Sequence, residues 1–174
     1  MTDQQQAWLD EAVALNNKLA PAGVAGREAL AGRSGNDFLA GISNGELPPP
    51  PIGALIGMTP IKAADGVAVF QGTPGAEHYN PLGSVHGGYA ATLLDTAVGC
   101  AVHSMLPAGK GYTTLELKVN YVRAMTTKTG PVRAEGKVVH VGGQTAIAEG
   151  RLTDAAGKLL AFATTTCLVF DLPA

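Results

Sequence analysis

The sequence predicts an α+β fold in which an antiparallel sheet wraps around one central buried helix, behind an N-terminal helical extension. Three observations predict it: a run of small and apolar residues at 87–106, strand-like segments joined by short links, and four consecutive prolines at 48–51. A helix that is apolar all round belongs inside a core, and short links favour hairpins. The 174 residues suffice for one domain with an extension.

Residues 1–51 are expected to form the helical extension and a proline-rich linker, ahead of a main domain at 52–174. An amphipathic helix is predicted over 2–20, because Thr2 and Gln5 have the spacing of a capping box. Its apolar stripe consists of Trp8, Ala12, Leu15 and Leu19.

A second short helix is predicted at 37–43, and the prolines at 48–51 follow it. Proline fits neither a helix interior nor a central strand. We therefore expect a stiff polyproline II segment as the linker.

The central helix is expected from Gly87 to Leu106, and Pro107 ends it. Asp95 lies within it and basic flanking residues are missing, which argues against a membrane span. The predicted strands are 67–72, 115–121, 132–141, 144–153 and 159–170. The apolar alternation slips at Val138–Val139, which is typical of a β-bulge.

Composition limits the function. A net charge of −2 with 15% charged residues argues against a disordered chain and against nucleic-acid binding through overall positive charge. Residues 110–158 nevertheless hold eight Lys/Arg against four Asp/Glu, so this region carries +4 and the remainder −6. Such a region either attracts phosphates or forms a solvated face of hairpin charges.

Cysteines and aromatic residues are scarce. Cys100 and Cys167 are too far apart to indicate a disulfide framework or a zinc site, and we expect both in the core. The polar, acidic N-terminus lacks the pattern of a signal peptide, so a cytoplasmic location is expected. With 23 glycines and 5% aromatic residues, the chain is expected to complete its core with a second subunit.

The segment 80–95 carries the residues best suited to chemistry. His86, Gly87 and Gly88 lie where a loop enters a helix, and the first N–H groups of a helix lack internal partners. The two glycines leave these groups open to a carbonyl oxygen that becomes negative, and Asn80 can supply a second donor.

Asp95 lies about two turns into the apolar helix. An unpaired buried carboxylate is costly, so either a structural partner satisfies it or the group is kept because it reacts. His86 is either a general base or a residue that holds the turn through its ring nitrogens, and we assign it the supporting role.

Four elements of the sequence form a spaced pattern: the spacing Asn80-x5-His86-Gly-Gly-x6-Asp95, a motif at 114–123, a turn at 142–145 and another turn at 154–158. In these elements the sequence resembles the hotdog-fold thioesterases of the phenylacetate-degradation (PaaI-like) branch. The resemblance covers roughly residues 52–170. It implies a hotdog fold and hydrolysis of an acyl-CoA thioester.

The resemblance also implies roles for individual residues. Asp95 would act as general base or nucleophile, the Gly87 N–H and the Asn80 amide would polarise the carbonyl, and a hydroxyl at Thr114 would help to hold the water. Alternation favours Thr113, whereas the spacing to Tyr121 favours Thr114, so the choice stays open. The coenzyme A portion would bind the following residues: Arg123, Gly142, Gly143 and Gln144.

The implied assembly is a homodimer or a dimer-of-dimers tetramer with the site at the subunit interface. No metal and no cofactor beyond the coenzyme A of the substrate are expected, and neither nucleic acid nor membrane is an expected partner. His78, His103 and His140 lack metal-ligand spacing and are interpreted as structural or surface residues.

Two alternatives stay open at this point. The first is a hotdog hydratase or dehydratase that uses His86 together with Asp95, and the second is a non-catalytic acyl-CoA sensor that uses the same pocket. A serine hydrolase is unsupported because no Ser lies in a G-x-S-x-G motif.

Overall fold

The computed structural model describes residues 1–173 and contains helices, strands and short 3₁₀ turns. The helices are α1 Asp3–Asn16, α2 Arg27–Ala31, α3 Gly35–Ser43, α4 Pro51–Leu55 and α5 Gly87–Ser104. The strands are β1 Met58–Ala64, β2 Val67–Gly72, β3 Lys110–Tyr121, β4 Val132–Val141, β5 Thr145–Asp154 and β6 Leu159–Asp171. The 3₁₀ turns are Ala76–His78 and Thr127–Thr129.

The six strands form one antiparallel sheet in the order β1-β2-β4-β5-β6-β3, and α5 packs against all six strands. This confirms the predicted fold class. Glycines permit the close packing: Gly136 and Gly150 are paired across β4 and β5, and a Cβ on Gly136 would lie 2.3 Å from the carbonyl oxygen of Ala97 on α5. Part of the high glycine content therefore lets the helix backbone touch the sheet.

The strands differ from the prediction at two places. β1 was not predicted. It contains Pro60, which the structure places on an edge strand, where a missing N–H is tolerated. β3 begins at Lys110 rather than at residue 115. The bulge predicted in β4 is confirmed by a register shift between Val138 and His140.

Helix α1 has the predicted capping box at Thr2 and buries Ala12, but it ends at Asn16 and not near residue 20. Trp8 packs under the guanidinium of Arg133, 4.3 Å from ring centroid to Cζ. Arg133 alternates with the core residue Ala134 along β4, so it lies on the sheet face opposite α5. Helix α1 therefore packs on the face of the sheet opposite α5.

The linker also departs from the prediction. Pro50 has the polyproline II dihedrals φ −65° and ψ 144°, but Pro51 is the first residue of α4. Proline is tolerated there because the first helical N–H needs no acceptor. Helix α2 was not predicted, and α3 begins two residues earlier than expected. The proposed division between residues 51 and 52 falls at the start of α4.

Within residues 1–173, no helix is both long enough and apolar enough to cross a membrane.

Candidate active site

Asp95 on α5 and Thr114 on β3 are bonded to each other. The Thr114 hydroxyl donates a hydrogen bond of 3.0 Å to Asp95 Oδ1, and Thr113 is exposed. The alternation that favoured Thr113 fails because β3 has a bulge: the register shifts between Thr114 and Glu116 and leaves Leu115 58% exposed. An unpredicted bulge thus decides which hydroxyl reaches the carboxylate.

Asp95 is half-buried, and not buried as expected. It lies on a half-buried stripe of α5 with Ala91, Thr92 and Thr96, so the helix is not covered on every side within one subunit. Thr92 and Thr96 donate their hydroxyls to backbone carbonyls one turn earlier, Gly88 O and Thr92 O. These hydroxyls are satisfied locally, which leaves Thr114 as the bonded partner of the carboxylate.

His86 caps the N-terminus of α5. Its Nδ1 accepts a hydrogen bond of 2.9 Å from the Gly88 N–H, which is the turn-holding geometry expected of this histidine. We expected the N–H groups of both Gly87 and Gly88 to be open, but this bond occupies the N–H of Gly88. The Gly87 N–H has no acceptor among residues 1–173, so it is the donor that remains at this helix start.

Tyr121, at the end of β3, covers the same helix start. Its hydroxyl donates to the Gly87 carbonyl oxygen at 3.2 Å, and a Cβ on Gly87 would lie 3.0 Å from the Tyr121 ring. No functional role was predicted for this tyrosine beyond its place in the motif at 114–123. Thr114 and Tyr121, which lie on the same strand, therefore contact α5 at two different positions, Asp95 and Gly87.

Asn80 shapes the loop that precedes α5. Its Oδ1 accepts from the N–H groups of Leu82 and Ser84, at 2.9 and 3.3 Å, and its Nδ2 donates to the Ser84 hydroxyl at 3.1 Å. The amide therefore has a structural task that the sequence did not reveal. One hydrogen of Nδ2 remains for a further acceptor.

The two halves of the predicted site do not meet within one subunit. Gly87 and Asp95 are eight residues apart on α5, which corresponds to about 12 Å along the helix axis. A reacting carbonyl must lie about 3 Å from both the oxyanion donors and the attacking group. One subunit alone therefore cannot place both against the same carbonyl.

The residues predicted to hold coenzyme A are also separated. Arg123 follows β3 and donates to the Leu159 carbonyl oxygen at 2.7 Å. The turn at 142–144 lies at the other end of the sheet, where Thr145 pairs with Leu168. Nine residues of β6 separate these ends, which is about 30 Å at the rise of a strand.

The basic region at 110–158 is partly neutralised. Lys110 forms an ion pair with Asp171, and Arg133 forms one with Glu11 on α1. These pairs favour the interpretation of a solvated charged face for part of the region.

Among the described residues, no group of three or more His, Cys, Asp or Glu side chains is arranged to hold a metal ion.

Comparison with known proteins identifies a thioesterase superfamily match over residues 82–161. A provisionally named esterase of Halobacterium salinarum is 45% identical over 69 residues, which are 38% of this chain and 44% of that protein. The chain thus spans less than half of that relative. The 1,4-dihydroxy-2-naphthoyl-CoA hydrolase of Listeria monocytogenes is 26% identical over 114 residues, 66% of this chain and 91% of the relative.

Solved structures agree with this match. A conserved protein of Pseudomonas aeruginosa has a TM-score of 0.64 at 31% identity, covering 68% of this chain and 93% of that one. A protein of Ralstonia eutropha, described as related to phenylacetic acid degradation and provisionally as a thioesterase, has a TM-score of 0.65 at 28% identity. That match covers 71% of this chain and 93% of the other.

Proposed function

Because the chain belongs to the thioesterase superfamily, we propose that it hydrolyses the thioester bond of an acyl-CoA. The predicted resemblance and the hotdog architecture are confirmed by the match at 82–161 and by the structural neighbours. Coenzyme A as the thiol carrier is supported by the name of the Listeria relative.

The observation that carries the proposal is the Asp95 carboxylate, held by the Thr114 hydroxyl in a half-buried stripe of α5. The bond orients the carboxylate through Oδ1 and leaves Oδ2 for a water molecule. A positioned carboxylate can take a proton from that water, or attack the carbonyl carbon itself. The attacking oxygen forms the new C–O bond, the C–S bond breaks, and the coenzyme A thiolate leaves and takes up a proton. On the route in which Asp95 attacks, water then hydrolyses the mixed anhydride and restores the carboxylate.

The carbonyl oxygen becomes negative during this attack. The open Gly87 N–H at the positive end of α5, together with the free amide hydrogen of Asn80, supplies donors for it. One such donor is typically worth about 3 kcal/mol of transition-state stabilisation.

We place this site between two copies of the chain. Gly87 and Asp95 of one subunit are too far apart, and β3 is a twelve-residue edge strand whose outer side is unpaired within the subunit. A long unpaired edge is a template for pairing with another chain. A homodimer in which two β3 strands pair antiparallel would provide that partner.

We infer a register for this pairing from the contacts of Thr114 and Tyr121 on β3. A two-fold axis near Leu117–Lys118 would set Thr114 opposite Tyr121 of the partner subunit. Because Tyr121 covers Gly87 in its own subunit, Gly87 of the partner subunit would then lie beside Asp95. The carboxylate and the oxyanion donors would meet across the interface.

The geometry favours a hydrolase over the alternatives. A hydratase would need His86 to transfer a proton beside Asp95, but the Nδ1 of His86 already accepts from the Gly88 N–H and caps α5. A non-catalytic acyl-CoA sensor would bind the thioester and release no thiol.

Four finer points stay predictions: coenzyme A contacts at Arg123, Gly142, Gly143 and Gln144, the pairing of dimers into a tetramer, a role in phenylacetate degradation, and a cytoplasmic location. No cofactor enters the proposed reaction apart from the coenzyme A of the substrate.

Thiol release from a series of acyl-CoA esters tests the proposal. The parent protein should release coenzyme A, and Asp95→Asn should lose this activity while remaining a folded oligomer, since an amide oxygen can still accept from Thr114. Turnover by Asp95→Asn at the parent rate would contradict the proposed role of the carboxylate. Water addition to an enoyl-CoA without thiol release would support the hydratase.

A further inference from the structure

An apolar cavity of about 370 Å³ lies between the N-terminal extension and the sheet. More than half of its lining residues come from positions 23–53, and the remainder come from β1, β2, β3 and α5. The family match at 82–161 does not include the part of the chain that builds most of this wall. The cavity is thus a feature of this chain's own extension.

The cavity is lined by neighbours of Asp95 and Thr114, although not by these two residues themselves. Its inner wall contains Thr96, which directly follows Asp95, and Cys100 one turn further along α5. It also contains Tyr112, two residues before Thr114 on β3, or about 7 Å along the strand and on the same face. A thioester held at Asp95 therefore has the cavity beside it.

The lining is apolar and contains no Asp, Glu, Lys or Arg. The hydroxyls of Ser43 and Thr96 are engaged locally, since Ser43 donates to Leu39 O and Thr96 to Thr92 O. Its titratable groups are neutral near pH 7. Burial raises the pKa of the Cys100 thiol to about 12 and that of Tyr112 well above its usual value, and burial lowers the pKa of His103.

We propose that this cavity receives the acyl group of the substrate and that residues 23–53 thereby select an uncharged, apolar acyl chain of medium length. At roughly 30 Å³ per water-sized group, the volume holds about twelve such groups, which corresponds to a chain of about eight to twelve carbons. A charged acyl group would lose its hydration without gaining a partner in this lining. The inference rests on the proposed hydrolysis at Asp95.

Ile42 on α3 provides a test, because it is half-buried and lines the cavity. Ile42→Trp should shorten the space and Ile42→Ala should lengthen it. The readout is the ratio of kcat/KM for decanoyl-CoA to kcat/KM for butyryl-CoA. We expect this ratio to fall at least tenfold in Ile42→Trp, and we expect Ile42→Ala to shift the preferred chain length upward.

Ala40→Trp is the matched control, since Ala40 lies on the same helix, is exposed and is not part of the lining. Its ratio should equal that of the parent. Opposite shifts in the two Ile42 variants cannot come from a general loss of stability, which would change the activity toward both substrates in one direction. An unchanged ratio in both Ile42 variants would overturn the inference.

Calorimetric titration with decanoyl-CoA separates this inference from the proposed function. If the parent releases no thiol from any ester, the proposed hydrolysis fails. Weaker binding of decanoyl-CoA to Ile42→Trp than to Ala40→Trp would then still support the cavity as the acyl site. Equal binding to both variants would overturn that assignment.

Discussion

Thr114 and Asp95 are joined by a hydrogen bond of 3.0 Å that links the edge strand β3 to the central helix α5. The bond fixes one oxygen of the carboxylate and leaves the other free. It also places the carboxylate at the edge of the sheet, where a second copy of the chain can reach it. The catalytic proposal and the assembly proposal thus depend on the same contact.

Removing the Thr114 hydroxyl should slow catalysis. Thr114→Val keeps the shape but loses a hydrogen bond to a charged group, worth about 1.5–3 kcal/mol, so we expect kcat to fall about ten- to a hundredfold. Thr114→Ser should recover most of the activity. The neighbouring exposed residue gives the control: Thr113→Val should match the parent in steady-state assays, and an equal loss in both valine variants would contradict the assignment.

A substitution at Asn80 can separate its role in the loop structure from its proposed role in polarising the carbonyl. Asn80→Asp keeps the oxygen that accepts from Leu82 and Ser84, and its second oxygen can accept from the Ser84 hydroxyl, but the variant has no amide donor. We expect a near-parental melting temperature and a loss of kcat of about a hundred- to a thousandfold. Ser84→Ala, which removes only a loop hydrogen bond, should instead lower stability and retain activity. Parental turnover by Asn80→Asp would exclude the amide as a donor to the carbonyl.

Acidification should destabilise the fold through His103. Burial between Phe38 and Tyr112 lowers the pKa of His103 below its usual value of 6.5. The unfolded chain therefore binds more protons than the folded chain as the pH falls below about 6.5, and the free energy of unfolding decreases there. Melting temperatures measured across this range should drop less in His103→Gln than in the parent.

His140→Gln is the control for this titration, because His140 is exposed at the end of β4. It should follow the parent profile. If His140→Gln and His103→Gln flatten the profile equally, the buried histidine is not the cause of the loss.

The Tyr89 hydroxyl should lower the stability of the folded protein. It is buried, it has no hydrogen-bond partner among the described residues, and burial raises its pKa. Tyr89→Phe removes an unsatisfied polar atom, so we expect the free energy of unfolding to rise by about 1 kcal/mol in urea titrations. Tyr79→Phe should have the opposite sign, because the Tyr79 hydroxyl is bonded to Thr127. A loss of stability in Tyr89→Phe would reveal an unrecognised partner.

The sequence predicted the architecture because the patterns that encode it are local. The apolar run at 87–106 identified α5, and the slip at Val138–Val139 identified a real bulge. β1 was not predicted. It contains Pro60, which is tolerated on an edge strand or at a bulge, and both of these are properties of the assembled sheet.

The geometry of the candidate site could not be predicted from the sequence. The bulge at Leu115 determines which threonine faces Asp95, and the apolar pattern of β3 did not predict this bulge. The loop bonds of Asn80 and the 12 Å between Gly87 and Asp95 follow from three-dimensional placement. The cavity beside the extension could not be predicted from the sequence either, because its walls come from distant parts of the chain.

Subunit complementation tests the central claim, that Asp95 of one subunit and Asn80 with Gly87 of another form each hydrolytic site. Asp95→Asn and Asn80→Asp subunits are co-expressed with different tags, and the doubly tagged heterodimer is assayed for thiol release from an acyl-CoA. One of its two sites would combine intact Asp95 with intact Asn80, so we expect about half of the parental activity, although each homodimer retains at most about one hundredth of it. A heterodimer as inactive as the homodimers would contradict the shared site.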